Sequence, residues 1–180
     1  MDDDVKPDKA DSGGRTPLWW AASNGHEGVV EILLGRNDVN PNESERYDST
    51  LFRRATSSGH EGVVKILLGR GEINPDKPDN YCRTPLSWAA WSGHEGVVEM
   101  LLGRGGISPD KPDSYGRTPL YLAAWNEKGE MVKILLGRDD ASPNKLDKYG
   151  KTPLDRATEE GHHRVIALLQ PLESVVHSLP

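Results

Sequence analysis

The 180-residue chain is short of most features that mark a catalytic, membrane-spanning or nucleic-acid-binding protein. Its one cysteine, Cys82, excludes a disulfide within the chain and makes a reducing cytoplasmic compartment the simplest expectation. No apolar run approaches the roughly 20 residues that cross a bilayer. The opening MDDDVKPDKAD is acidic where a secretory leader would be basic and then apolar. Cations are the scarcer charge: 22 Lys and Arg against 28 Asp and Glu leave a net charge of −6. That balance argues against a surface built to neutralise nucleic-acid or membrane phosphates. HExxH, CxxC and a glycine-rich loop ending in GK[ST] are absent, and no serine or cysteine stands in a nucleophile motif. Neither an enzyme nor a cofactor or metal site is therefore expected. Hydrophobic residues make up 35%, low for a compact globule, whereas 19 Gly and 13 Pro suggest many turns and much surface.

Repetition takes the place of motifs. Thr16, Thr50, Thr84, Thr118 and Thr152 stand 34 residues apart, and five blocks of that length (11–44, 45–78, 79–112, 113–146 and 147–180) tile the chain. Such a period marks a solenoid whose units bury their apolar faces only against their neighbours. Residues 1–10, with consecutive aspartates and little apolar surface, are expected to form a flexible acidic tail.

The stretch RTPLSWAAWSGHEGVVEMLLGR, Arg83 to Arg104, shows the unit most completely. Thr84 can cap a helix, and Pro85 suits a first helical position. The small pair Ala89 and Ala90 allows close packing, and Gly93 ends the helix in a left-handed residue. A second helix carries Val97, Val98, Met100, Leu101 and Leu102 and closes at Gly103. The Pro- and Asp-rich stretch that follows reads as a turn-rich connector, and the DKPD segments at 76–79 and 110–113 read as turns rather than calcium loops. His26, His60, His94 and His162 recur in phase, but the 8–10 Å typical of packed helices is too wide for imidazoles to share a metal, so an interhelical hydrogen bond is expected.

These patterns, GRTPLYLAA at 116–124 and GHEGVVEMLL at 93–102, resemble the ankyrin repeat. The resemblance covers residues 11–180, and its wording is most similar to arrays in fungal ankyrin-repeat proteins. It implies an all-α ankyrin-repeat solenoid of five helix–turn–helix units with extended loop and β-turn tips. It also implies a non-catalytic module that binds a protein partner through its concave helix face and tips. The usual ankyrin period is one residue shorter, so each connector is expected to hold an extra residue. Unit two departs by Leu51 in place of proline and by Arg53-Arg54, and unit four by Glu127-Lys128 in place of Gly-His, which is expected to distort its turn. The polar fifth unit reads as a C-terminal cap.

Residues four apart on a helix share a face, so positions 19/23, 53/57, 87/91, 121/125 and 155/159 form rungs. In ankyrin proteins the corresponding positions line the concave groove. Trp19, Arg53, Trp91, Tyr121 and Trp125 are the candidates there, with Trp91 and Trp125 the best anchors. Trp20 and Trp88 are expected in the core. A second column runs along the tips, Tyr47, Tyr81, Tyr115 and Tyr149, with Arg83, Arg117 and Lys151 two residues beyond. Alternation along an extended tip would point Tyr and Arg to opposite sides. Tyr81, Arg83, Tyr115 and Arg117 complete the partner-binding candidates. A monomer bound to a protein partner, without nucleic acid or membrane, is the expectation. A structural spacer or scaffold is the alternative, and a ligand site on the patch Arg53, Arg54, Glu127 and Lys128 is a more remote one.

Overall fold

In the computed structural model of the chain, the described residues are 7–42 and 50–176, the side chains of 171–176 excepted. Each first helix begins where a threonine permits it. Thr16, Thr50, Thr84, Thr118 and Thr152 have extended backbones, and each Oγ1 accepts the N–H three residues on at 3.0–3.1 Å. One of the donors left unpaired at a helix start is thereby satisfied. The first helices are α1 (Pro17–Ser23), α3 (Leu51–Ser58), α5 (Pro85–Ser92), α7 (Pro119–Trp125) and α9 (Pro153–Glu160). The second helices are α2 (Glu27–Leu34), α4 (Glu61–Leu68), α6 (Glu95–Gly103), α8 (Gly129–Leu136) and α10 (His163–Val176).

The turn inside each pair needs a left-handed residue, and Gly59 shows why glycine is suited to it. Its φ is +76°, and a side chain there would also run into the His94 ring of the next unit. That ring is the staple between units. The carbonyl of Ser57 accepts from His94 Nε2 at 3.0 Å, that of Ser23 from His60 Nε2 at 2.9 Å, and that of Ala124 from His162 Nδ1 at 3.1 Å. The expected histidine hydrogen bond is thus present, and it crosses between units. Unit four has no histidine, yet its turn is not distorted as expected. Glu127 itself takes the left-handed conformation, with φ of 55°. Asn126 supplies the staple by donating Nδ2 to the Trp91 carbonyl at 2.7 Å.

The first helices pack side by side, α1 on α3, α3 on α5, α5 on α7 and α7 on α9, through the buried alanines Ala22, Ala55, Ala89, Ala123 and Ala157. The second helices fill the spaces between with Val30, Val64, Val98, Val132 and Val165, and with Leu67, Leu101 and Leu135. Truncating one such leucine to alanine would cost about 2–5 kcal/mol. At the first unit the stack ends on bare apolar positions. Val29 is 48% and Ile32 71% exposed, whereas Val63 and Val97, one and two periods after Val29, are fully covered. At the other end His163 and Arg164 are exposed. The repeat also starts earlier than the threonine pattern suggests. Residues 1–6 lie outside the described residues, but Pro7-Asp8-Lys9-Ala10-Asp11 matches Pro75-Asp76-Lys77-Pro78-Asp79 except for Ala10 in place of Pro78. Asp8 Oδ2 accepts from Asn40 N at 3.0 Å, as Asp110 Oδ1 accepts from Ser142 N, so this part of the supposed tail joins the connectors.

Candidate functional site

Every described tip is wound around one aspartate. Asp79 Oδ1 accepts the N–H groups of Tyr81 and Arg83 at 2.9 and 3.0 Å, and Oδ2 accepts from Arg83 Nε at 3.0 Å and pairs with Nη2 at 2.9 Å. Asp113 repeats this with Tyr115 and Arg117, Asp11 with Gly13 and Arg15, and Asp147 with the N–H groups of Tyr149 and Lys151. Neighbouring tips join through their backbones, Ser114 N donating to Tyr81 O at 2.8 Å and Lys148 N to Tyr115 O at 2.9 Å.

Burial pushes the Asp79 carboxyl up, but the donors of Arg83 and Tyr81 and the guanidinium beside it outweigh that and hold it below the usual carboxylate value. Asp147 is likewise pushed up by burial, then held low by the N–H of Lys151, the Tyr121 hydroxyl and the N–H of Tyr149. The same hydroxyl donates to Asp147 Oδ2 at 2.9 Å. Burial, with that carboxylate next to it, pushes the Tyr121 phenol up.

The tip aspartates also aim the tryptophans. Trp88 Nε1 donates to Asp79 Oδ2 at 3.1 Å and Trp20 Nε1 to Asp11 Oδ2 at 3.3 Å. Each ring then lies under an arginine. The Arg83 guanidinium stands 4.1 Å from the Trp88 ring centre and Arg53 5.0 Å, and Arg156 and Arg117 stand 4.1 and 5.3 Å from that of Trp125. Trp91 meets Trp125 edge to face, centroids 5.4 Å apart and planes at 90°. Such stacks contribute about 0.5–1 kcal/mol each where exposed and more where desolvated.

Between units three and four these side chains enclose a pocket of about 240 Å³, walled by Ser87, Trp88, Trp91, Leu122 and Trp125 and ended by Arg83 and Arg117. A pocket of about 520 Å³ lies towards unit two, with Arg53, Asp79, Tyr81, Arg83 and Trp88. Another, of about 280 Å³, lies towards unit five with Arg117, Tyr121, Trp125, Asp147, Lys151 and Arg156.

Helix pairs stacked in register, each with a left-handed turn and a hydrogen-bonded tip, are matched by sequence likeness. A family model described as "Ankyrin repeats (3 copies)" matches residues 38–113 and 105–176, and one described as "Ankyrin repeat" matches residues 13–45. The chain belongs to the ankyrin-repeat family. Ankyrin repeats are generally protein–protein interaction modules and are typically non-catalytic. No curated protein matches the sequence. Among the described residues no helix is long and apolar enough to cross a membrane, and no group of His, Cys, Asp and Glu could hold a metal ion.

In this ankyrin array the pockets are lined by part of the expected rungs, Arg53, Trp91, Tyr121 and Trp125, together with Trp88 and Leu122 one residue beyond a rung position. Trp19 and Tyr121 are buried, 4% and 3% exposed, Tyr121 at the edge of the pocket towards unit five. Ser87 is fully buried, its hydroxyl on that of Thr84 at 3.1 Å. The expectation of Trp20 and Trp88 in the core fails too. Trp20 is 42% exposed and Trp88 half-buried, because the tip aspartates draw their indole N–H groups into the groove. Leu122, at the same phase, is buried but forms pocket wall. Trp91, Trp125, Arg53, Arg83 and Arg117 meet in the groove as half-buried walls.

Tyr81 and Tyr115 are exposed at the tips, and Tyr47 lies outside the described residues. Their arginines do not point away as expected. Arg83 stacks over Tyr81 at 4.8 Å and Arg117 over Tyr115 at 4.5 Å, because the aspartate turn, with Cys82 at φ of 58° and Gly116 at 81°, folds back instead of extending. The patch Arg53, Arg54, Glu127 and Lys128 is not assembled. Glu127 and Lys128 line a separate pocket with Glu95 and Arg164, whereas Arg53 belongs to the groove and Arg54 stacks over Trp19. Arg156 and the tip aspartates join the site without being among the residues that the helical spacing points to. The signal for the aspartates is the Asp two residues before Tyr81, Tyr115 and Tyr149.

Proposed function

We propose that the chain is a docking module whose groove face holds a protein partner, anchored in the pocket between units three and four. The observation that carries this reading is the pocket itself: Trp88, Trp91, Leu122 and Trp125 form largely apolar walls between two arginines. Half-buried tryptophan and arginine side chains are the residue types enriched among interface hot spots, where truncation costs about 2 kcal/mol or more. The walls are already fixed. Asp79 positions Trp88 and Arg83, Asp113 positions Arg117, and Trp125 is wedged between Arg117 and Arg156. Little side-chain freedom is then left to lose on binding. The tip residues Tyr81 and Tyr115 extend the surface at the rim.

Affinity capture from cell extract with the wild-type chain and with Trp91→Ala tests the reading, with unfolding curves for both proteins. A partner that the wild type retains and the variant releases, at matched stability, supports it. A partner held equally well by both overturns the groove and leaves the array as a spacer.

A further inference from the structure

The side chains around the pocket between units three and four offer hydrogen-bond donors and no free acceptor. Asp79 Oδ2 takes Nε and Nη2 of Arg83 and the indole N–H of Trp88, and Asp113 Oδ2 takes Nε and Nη2 of Arg117. Ser87 is fully buried with its hydroxyl on that of Thr84, and the Trp91 carbonyl accepts from Asn126 Nδ2. Among the described residues this leaves Nη1 of Arg83, Nη1 of Arg117 and the indole N–H groups of Trp91 and Trp125 without a protein acceptor. Each guanidinium sits on its own carboxylate, so both ends of the pocket are compensated in charge. What the pocket lacks is acceptors, not anions.

A donor cut off from water without an acceptor costs about 1–3 kcal/mol, so an occupant that covers these groups must bring acceptors with it. Lysine and arginine side chains bring donors only. The walls set the other requirement. Trp88, Trp91, Leu122 and Trp125 are largely apolar, and the volume of about 240 Å³ exceeds the ~150 Å³ cavity that admits benzene. The two arginines belong to consecutive units, whose packed helices stand about 8–10 Å apart. A polyproline-type chain returns its carbonyls to the same direction every third residue, about 9 Å further on. Two carbonyls that flank one large apolar side chain therefore have the spacing of the two arginines.

Resting on the groove as the docking face, we propose that its occupant is an extended peptide segment with an uncharged centre. One large apolar side chain fills the pocket between units three and four, and backbone carbonyls on either side of it accept from Nη1 of Arg83 and of Arg117.

The test is a nuclear magnetic resonance titration of the full chain with the peptide acetyl-Ser-Pro-Phe-Pro-Ser-amide. It is followed at the indole N–H signals of Trp91 and Trp125, assigned through Trp91→Phe and Trp125→Phe. The comparators are the same peptide with lysine or alanine in place of phenylalanine, and phenylethylamine, which has the ring and a cationic donor but no acceptor. The first peptide is expected to saturate, with each comparator about tenfold weaker or worse. Leu122→Trp, which fills the pocket, should weaken the first peptide about tenfold with the unfolding curve unchanged. Units one and three already carry tryptophan at that position, Trp20 and Trp88, so the fold accepts it. Equal or tighter binding of the lysine peptide or of phenylethylamine overturns the proposal, as does a first peptide that does not saturate at millimolar concentration. If phenylethylamine binds as well and Leu122→Trp still abolishes binding, the carbonyl contacts are refuted and the groove stands. Binding indifferent to Leu122→Trp refutes both.

Discussion

Asp113→Asn removes one charge from a buried tip and should be among the most costly single-atom changes in the array. The Asp113 side chain is 0% exposed, and that of its partner Arg117 is 17%. Its Oδ1 accepts two backbone N–H groups, and its Oδ2 takes both bonds from the guanidinium, at 2.8 and 2.6 Å. Asparagine keeps the oxygen that serves the backbone but turns an amide N–H₂ towards the guanidinium. Two charge-assisted bonds are lost and a largely buried cation is left unpaired, which together cost about 3 kcal/mol. Asp11→Asn makes the same chemical change at a tip where the paired side chains are 34% and 35% exposed. Water can replace the lost partner there, so the cost should be about 1 kcal/mol or less. Urea unfolding followed by circular dichroism measures both. Arg117 also ends the central pocket, so Asp113→Asn should weaken groove binding, whereas Asp11→Asn should not. If Asp11→Asn costs as much as Asp113→Asn, burial of the ion pair is not what makes the tip stable, and the reasoning fails.

Cys82→Gly and Glu127→Gly relieve the two described non-glycine residues at positive φ, 58° and 55°, and each should stabilise by about 0.5–1 kcal/mol after glycine's greater unfolded-state freedom is subtracted. An unchanged or lowered urea midpoint would contradict this. Because Asp79 and Asp147 titrate below the ordinary carboxylate value of about 3.9, their contribution is present above it and is lost as pH falls through their folded values. Acid unfolding should therefore set in below about pH 4 and be shallower in Asp147→Asn. The Tyr121 phenol is shifted the other way, so its contribution is intact below about pH 10 and declines as pH rises towards the folded value. Tyr121→Phe should remove that alkaline slope, read as midpoint against pH. His94→Ala breaks the staple to Ser57 and should cost about 1 kcal/mol, whereas the exposed His26 should tolerate alanine within about 0.5 kcal/mol in the same assay.

The helices were legible because their signals are local and repeat. Threonine caps, proline starts, small pairs and aliphatic stripes predict α1 to α10, and phase alone points to a hydrogen-bonding role for the histidines but not to their reach into the preceding unit. The groove was legible only in part because it depends on which way a ring turns. Trp88 and Leu122 share a phase, yet only Leu122 is buried. An indole, however, carries an N–H that needs an acceptor, and Asp79 supplies it at the tip. Trp19 and Tyr121 looked like groove residues by helical spacing, but a bond to Asp147 holds Tyr121 inside. The loss of Gly-His in unit four was visible, and its repair was not. Glutamate can occupy the left-handed region at a cost, and Asn126 lies two residues from the missing histidine, within reach of the same carbonyl.

The staples have a kinetic consequence. Those from His60, His94 and Asn126 join residues 37, 37 and 35 apart, and that from His162 spans 38. The four spans differ by no more than three residues. Each unit docks by closing a loop of nearly the same length as the one before, so the entropy of closure is the same at every step. Such an array can begin folding at any unit and zip in either direction, and its rate should stay nearly constant when units are added.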